Sequence, residues 1–359
     1  MRRTGVGHHL SVDDGGPSGA AARRVGVKAA IGLVLLVALA WLVVAQRDRL
    51  REAVGLLAAT RWEWVLAAVV AQAVSMGAMA RQQRRLLGVG GTRISLAGAV
   101  ATTYAGNAIS VGLPLAGPAA STVFALRRFV ALGADAAVAG WALAVSGVFS
   151  SFALLAVVAL GAVVSGSGFA VVSAALGVLF GAVPLGLLLL SLRRPGPRQL
   201  LERLGTRLVE VGQKVSGHPA GDPEEIVHEQ LEEVTSLHPD TRTLAVTAWL
   251  AVLNWVADAA CLALAILAVG GVVPWRGLLL AWAAGTVVAS LGLTPGGLGV
   301  VEAALSSALV AAGLVGSTAI AAVLVYRIVS LWLVLAAGGV MLAWLGGPKL
   351  ADPVGSDHT

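Results

Sequence analysis

The chain has 359 residues, 57% of them hydrophobic and only 12% charged, with a mean hydropathy of +0.86. A soluble domain carries about 25% charged residues, so a soluble globular protein is excluded, and the absence of strand-type alternation excludes a transmembrane β-barrel. The net charge of +6 does not point to nucleic acid, because the basic residues gather in loops, where they set membrane orientation. The composition defines an all-α polytopic membrane protein, and 45 glycines suit helices packed at close approach. Cys261 is the single cysteine, so no internal disulfide forms, and its apolar setting reads as a small buried residue.

Residues 1–26 are polar and rich in Gly and Ser, which predicts a disordered N-terminus. The integral membrane domain is expected over 27–345. Its first span, 27–45, reads as an uncleaved anchor rather than a signal peptide, since many more spans follow. A second span is expected over 64–80, opened by the interfacial Trp62 and Trp64, with a basic loop at 81–93 behind it. The apolar run 94–126 is interrupted by Asn107, Gly112, Pro114, Gly117 and Pro118, which predicts a helix, a break near 110–118 and a second short helix. Spans at 135–163 and 169–192 follow.

Residues 193–243 form a long polar loop. Leu200, Leu201, Leu204, Leu208, Val211 and Val215 share one helical face among arginines, the pattern of an interfacial amphipathic helix. A second, solvated acidic helix is expected from Asp222-Pro223. A span at 244–268 leads into two short arms, 277–293 and 297–313, separated by Thr294-Pro295-Gly296-Gly297. The final span is 318–345, and a polar tail occupies 346–359.

Basic residues fall mostly on one side. Arg2, Arg3, Arg23, Arg24 and Lys28, the arginines of 81–93, Arg127, Arg128 and the 193–243 loop face Arg47, Arg49, Arg51, Arg61 and Arg276 on the other. The positive-inside rule then predicts a multi-pass protein of the cytoplasmic membrane with both termini, and the 193–243 loop, in the cytoplasm. Each half reads span, span, broken hairpin, span, with the two hairpins opening to opposite sides. That is the pattern of an inverted-topology repeat. The total is about eight transmembrane segments if every arm crosses, or six with two re-entrant hairpins.

Membrane interiors tolerate non-helical backbone only where protein or a wet cavity covers it. The break at 294–299 therefore marks a site. A helix restarting there offers Gly296, Gly297 and Gly299 N–H groups to an anion; a Pro-kinked helix at a tight contact is the competing reading. Glu302 and Arg327 lie inside apolar runs, where a lone charge costs about 2.5–3.5 kcal/mol. Either they lock two helices as a pair, or Arg327 meets a lipid phosphate while Glu302 positions it. Asp258, one turn after Asn254, is a possible proton or cation site or a hydrogen-bonded contact. Asn107 and Pro114 mirror Thr294 and Pro295 in the first half, and Tyr326 precedes Arg327. Glu225-x-x-His228 lacks a second copy, and the histidines show no metal-ligand spacing, so no metal or cofactor is expected.

Thr294-Pro295-Gly296-Gly297-Leu298-Gly299-Val300-Val301-Glu302 closely resembles the PGGxGxxE signature of the lysylphosphatidylglycerol synthase transmembrane family. The Asn107…Pro114…Gly117-Pro118 hairpin, the long loop before residue 244 and Tyr326-Arg327 also look like that family, and the resemblance covers about 27–345. Bifunctional members join a lipid-flipping membrane region to a cytoplasmic aminoacyl-transferase domain. This chain ends soon after its last span, so the resemblance implies a stand-alone flippase-like region without synthase activity. After Pro114 stands Leu115-Ala116-Gly117-Pro118, where the family pattern leads one to expect more glycine.

The function expected from these residues is movement of an anionic phospholipid or lipid-linked head group between leaflets, without chemistry on it. A non-transporting scaffold for an envelope-lipid or glycolipid synthesis enzyme, docking through the 193–243 loop, is the alternative. An intramembrane transferase using Glu302 or Asp258 as base is disfavoured, because no donor-binding or metal motif occurs.

Overall fold

The computed structural model describes residues 59–113, 115–166, 237 and 239–346. The expected disordered N-terminus, the spans 27–45 and 169–192, nearly all of the 193–243 loop, the tail from 347 and Pro114 lie outside the described residues.

The first described half comprises α1 (Trp62–Val89), α2 (Leu96–Gly112), α3 (Gly117–Ala131) and α4 (Ala136–Ser165). The second comprises α5 (Thr241–Ala268), α6 (Trp275–Ser290), a single 3-10 turn at Pro295–Gly297, α7 (Val300–Ala311), α8 (Gly316–Arg327) and α9 (Val334–Gly346). One π-helical stretch, Ile328–Leu333, joins α8 to α9, so that the last span runs unbroken over Gly316–Leu345. Helix starts are set locally. Ser95, Asp135 and Asp240 accept backbone N–H bonds from Gly98, Ala137 and Thr243 at 3.0, 2.7 and 3.0 Å, which satisfies donors that a first turn leaves open.

The helix expected to end near residue 80 continues to Val89. Gln82, Gln83, Leu86 and Leu87 are buried there, and that burial extends the helix through what the arginines alone suggested was a loop. Arg81, Arg84 and Arg85 consequently project from helix.

Among the described residues, four helices are long and apolar enough to cross a membrane: Trp62–Val89, Ala136–Ser165, Thr241–Ala268 and Gly316–Leu345. Trp62, Leu66, Val70 and Val74 form an exposed apolar ridge on α1, a surface that needs hydrocarbon rather than water against it. The hairpin arms have 17, 15, 16 and 12 residues. At about 1.5 Å per residue they reach roughly 18–25 Å, short of a hydrocarbon core of about 30 Å. Their tips meet instead. A Cβ on Gly292 would stand 3.3 Å from Leu115 N, and one on Gly296 3.2 Å from Val111 Cγ1. Each arm is thus too short to span such a core alone, and one pair enters from each end of the bundle.

Among the described residues, the helices of the two halves are related by inversion. α1 and α5 run antiparallel along their whole length. Arg61 N donates to Ala268 O at 2.8 Å at one end, Ser75 Oγ to Asn254 Oδ1 at 3.2 Å in the middle, and Arg85 Nη2 to Thr243 Oγ1 at 3.3 Å at the other end. The first hairpin arm of each half packs on the closing helix of the other, α2 on α9 and α6 on α4. Gly338 permits the first contact, where its backbone meets Tyr104 O, and Gly161 permits the second, against Leu279. Inside each hairpin a glycine allows the arms to cross, Gly106 against Ser121 and Gly285 against Leu305. Charge does not follow this symmetry. Arg81, Arg84, Arg85, Arg93, Arg127, Arg128 and Arg242 lie at the end where α1 finishes and α5 begins, while Arg61 and Arg276 lie at the other.

Candidate functional site

The second hairpin breaks because Pro295 contributes no N–H and the next residues hold positive φ: 62° at Gly296, 69° at Gly297 and 83° at Gly299. Helix α7 then restarts with Glu302 in its first turn, and Glu302 Oε2 accepts from Gly299 N at 2.6 Å. This self-capping corrects part of the expectation for the glycines. The N–H of Gly299 is taken by Glu302 and that of Gly297 by Thr294 O at 2.9 Å, so neither stands open to an anion. What the break presents is a carbonyl. Gly296 O accepts from Arg327 Nη2.

Arg327 ends α8 and is only 8% exposed. Its Nε pairs with Glu302 Oε1 at 2.6 Å. One guanidinium therefore ties the broken turn and the restarted helix to the closing span. Among the described residues two of its five N–H donors are used in this way, and the rest remain for a further acceptor. The stretch that follows Arg327 is π-helical, a distortion common at functional sites.

At the position just before Arg327, Tyr326 O–H donates to Asp258 Oδ2 at 3.0 Å, and Trp282 Nε1 donates to the same oxygen at 2.8 Å. Asp258 is thus the acceptor at the centre of a polar cluster joining α5, α6 and α8. Trp255 stands edge-on to Trp282, with ring centroids 5.8 Å apart, and its Nε1 donates to Ser150 O at 2.8 Å on α4. These bonds fix the orientation of both indoles.

All of this faces one cavity of about 470 Å³ between the two hairpin tips. Its lining brings together Asn107, Asp258, Thr294, Gly296, Gly297, Tyr326 and Arg327. Glu302 stands behind Arg327, and Gly299 is outside the lining. Thr294 Oγ1 donates to Leu298 O at 3.0 Å, which braces the turn. The sequence reading missed Gln72, Ser75, Ser150 and Trp282, which also line the cavity. Gln72 is buried, and its Oε1 has no hydrogen-bond partner among the described residues. The available signal was the polar side chain within an apolar span, which in a membrane interior marks a contact or a pathway. The first hairpin brings Asn107, Ser110 and Leu115 but no charge. At Leu115 φ is 60°, so leucine holds the left-handed conformation that glycine takes in the second hairpin.

Two short-armed hairpins, inverted with respect to one another and bordering a part-buried ion pair and a part-buried carboxylate, define a polytopic membrane protein with a polar chamber between the hairpin tips. A family model described as the lysylphosphatidylglycerol synthase TM region matches residues 29–338, and the chain belongs to that family. No curated protein matches it.

Proposed function

We propose that this protein moves an anionic phospholipid, or another lipid-linked anionic head group, between the leaflets of the cytoplasmic membrane without altering it chemically. The observation that carries this reading is the Arg327–Glu302 pair beside the broken turn. A guanidinium fixed by two bonds, with donors left over, borders a cavity of about 470 Å³ between apolar helices, where lipid tails would offer a head group nothing. That volume falls in the range of about 300–1,000 Å³ common to small-molecule sites. Arg327 would hold the phosphate, and Glu302 would orient Arg327. The unpartnered Gln72 Oε1 and Asn107 would take head-group hydroxyl or ammonium donors. Asp258 would serve as a proton or cation site, with Trp282 and Tyr326 stabilising its charged form. The inverted halves supply two related arrangements of the same elements, the means by which repeat-built transporters open alternately to either side. The excess of arginine at one end is consistent with that end, and both termini, facing the cytoplasm.

A leaflet-exchange assay on protein reconstituted in liposomes tests the proposal. Wild type should speed exchange of a labelled anionic phospholipid, and the Arg327→Ala/Glu302→Ala double variant should not. Equal rates in two preparations shown to be equally folded would remove the reading.

A further inference from the structure

At the arginine-rich end of the bundle, α1, α5 and the turn before α2 enclose a groove of about 810 Å³. We propose that it is a second anion site, one that takes the phosphate of an anionic phospholipid head group ahead of the central cavity. The proposal rests on the translocation reading above.

The groove and the cavity lie in series along one seam. On α1 the groove uses Arg81 to Val89 and the cavity Gln72 to Met79; on α5 the groove uses Thr243 to Leu250 and the cavity Asn254 to Asp258. Arg81, Arg84, Arg85 and Arg93 line the groove, and among the described residues no carboxylate forms an ion pair with any of them. The one acid in the lining among the described residues, Asp240, accepts from Thr243 N at 3.0 Å as the cap of α5 and interacts electrostatically with Arg85, which leaves Arg81, Arg84 and Arg93 without an acidic neighbour in the lining. Two guanidinium groups are already oriented. Arg84 Nε donates to Ile94 O at 2.8 Å and Arg85 Nη2 to Thr243 Oγ1 at 3.3 Å, while Arg85 Nε is buried with no partner. Fixed forks with donors still open among the described residues match phosphate oxygens in pairs.

The fold does not require these charges. Ser75 and Asn254, which bond to one another at the centre of the α1–α5 seam, are 179 residues apart, and α1 and α5 begin and end at the same offset. That offset carries Arg81, Arg84, Arg85 and Arg93 onto Ala260, Ala263, Leu264 and Val272. The equivalent place in the second half is apolar. Membrane orientation alone could be served by basic residues anywhere at this end, since it depends on charge and not on the geometry of a fork. A phospholipid rather than free phosphate is assigned because Val246 and Leu250 form an apolar floor on the side leading into the bundle.

Binding to the purified full-length protein in detergent micelles tests this, with native mass spectrometry counting bound phosphatidylglycerol, phosphatidylcholine or inorganic phosphate. Arg81 and Arg93 are exposed, so Arg81→Lys/Arg93→Lys should melt as wild type does and keep every charge. The expected result is that it loses affinity for phosphatidylglycerol by about tenfold, the equivalent of one good charge-assisted contact, and that Arg81→Gln/Arg93→Gln loses more. Lysine variants that bind like wild type would reduce the arginines to topology anchors and overturn the proposal. So would phosphatidylcholine binding as tightly as phosphatidylglycerol. Inorganic phosphate binding as tightly as the lipid would overturn the lipid assignment. The measurement is an equilibrium one that needs no translocation. Its failure leaves the leaflet-exchange result standing, and a failed exchange assay with intact groove binding removes only the translocation reading.

Discussion

Ser75 and Asn254 occupy the same position in the two halves and hydrogen-bond to each other at 3.2 Å where α1 and α5 cross. They mark the axis about which the halves are inverted. Around that axis the backbone repeats but the chemistry does not. Asp258, Glu302 and Arg327 all come from the second half, while the first offers only neutral groups such as Gln72, Asn107 and Ser110. The symmetric part of the sequence builds the chamber, and the asymmetric part equips it. The following predictions separate these two roles.

Removing one partner of the Arg327–Glu302 pair leaves a buried guanidinium or a half-buried carboxylate without compensation. Arg327→Ala or Glu302→Ala should each destabilise by about 3–5 kcal/mol, read from thermal unfolding in detergent. Arg327→Met combined with Glu302→Gln should recover part of that loss, because neither residue is then an isolated ion. Recovery of stability without recovery of lipid exchange would assign the pair to function as well as to folding.

Gly285 allows the second hairpin to close. A Cβ there would lie 2.5 Å from Leu305 Cγ, with no room for a small shift. Gly285→Ala should cost about 1–3 kcal/mol by overpacking, and Leu305→Ala in the same chain should relieve some of it. At Gly106 the equivalent Cβ meets the Ser121 hydroxyl at 3.0 Å, a softer contact, so Gly106→Ala should cost less. Melting temperatures of the three variants check the order.

Leu115 carries φ of 60° at an exposed hairpin tip, where an L-residue with a branched side chain costs about 1–2 kcal/mol. Leu115→Gly should therefore raise the melting temperature. A lowered one would mean that contacts of the leucine side chain outweigh the strain of its backbone.

Asp258 accepts from both Trp282 and Tyr326. Tyr326→Phe and Trp282→Phe should each remove a bond to a carboxylate worth about 1.5–3 kcal/mol. With Asp258→Asn as background the same substitutions should cost less. A double-mutant cycle on thermal stability, with tryptophan emission following the environment of Trp282, measures the coupling.

Asp240 caps α5 at the water-facing end. The hydrogen bond from Thr243 holds its carboxyl below the ordinary carboxylate range, with Arg85 adding to the effect. A depressed native value stabilises the fold above the unfolded value of about 3.9 and is lost as pH falls through the native one. Asp240→Asn keeps a capping oxygen without the charge. Its deficit in melting temperature should be full at neutral pH and should shrink progressively below about pH 4.

Much of this protein was readable in the chain itself. Hydrocarbon forbids open peptide groups and lone ions, so apolar run length marked the described spans near 64–80, 135–163, 244–268 and 318–345, Pro295 with its glycines marked the break, and Glu302 and Arg327 stood out as charges inside apolar runs. The same rule made the halves recognisable, since each repeats one order of long and short segments. Tertiary structure decided the rest. Whether a hairpin arm crosses or turns back depends on what meets its tip, and no local pattern shows that Leu115 meets Gly292. Glu302 claims the Gly299 N–H by a local bond three residues long, but that it holds Arg327 at the same time follows from a contact between residues 25 positions apart. The buried Gln82 and Gln83, which carry α1 through an apparent loop, owe their places to neighbours on other helices. Sequence sets what each segment can tolerate. Only the meeting of distant segments settles which polar groups are satisfied and which remain free for a ligand.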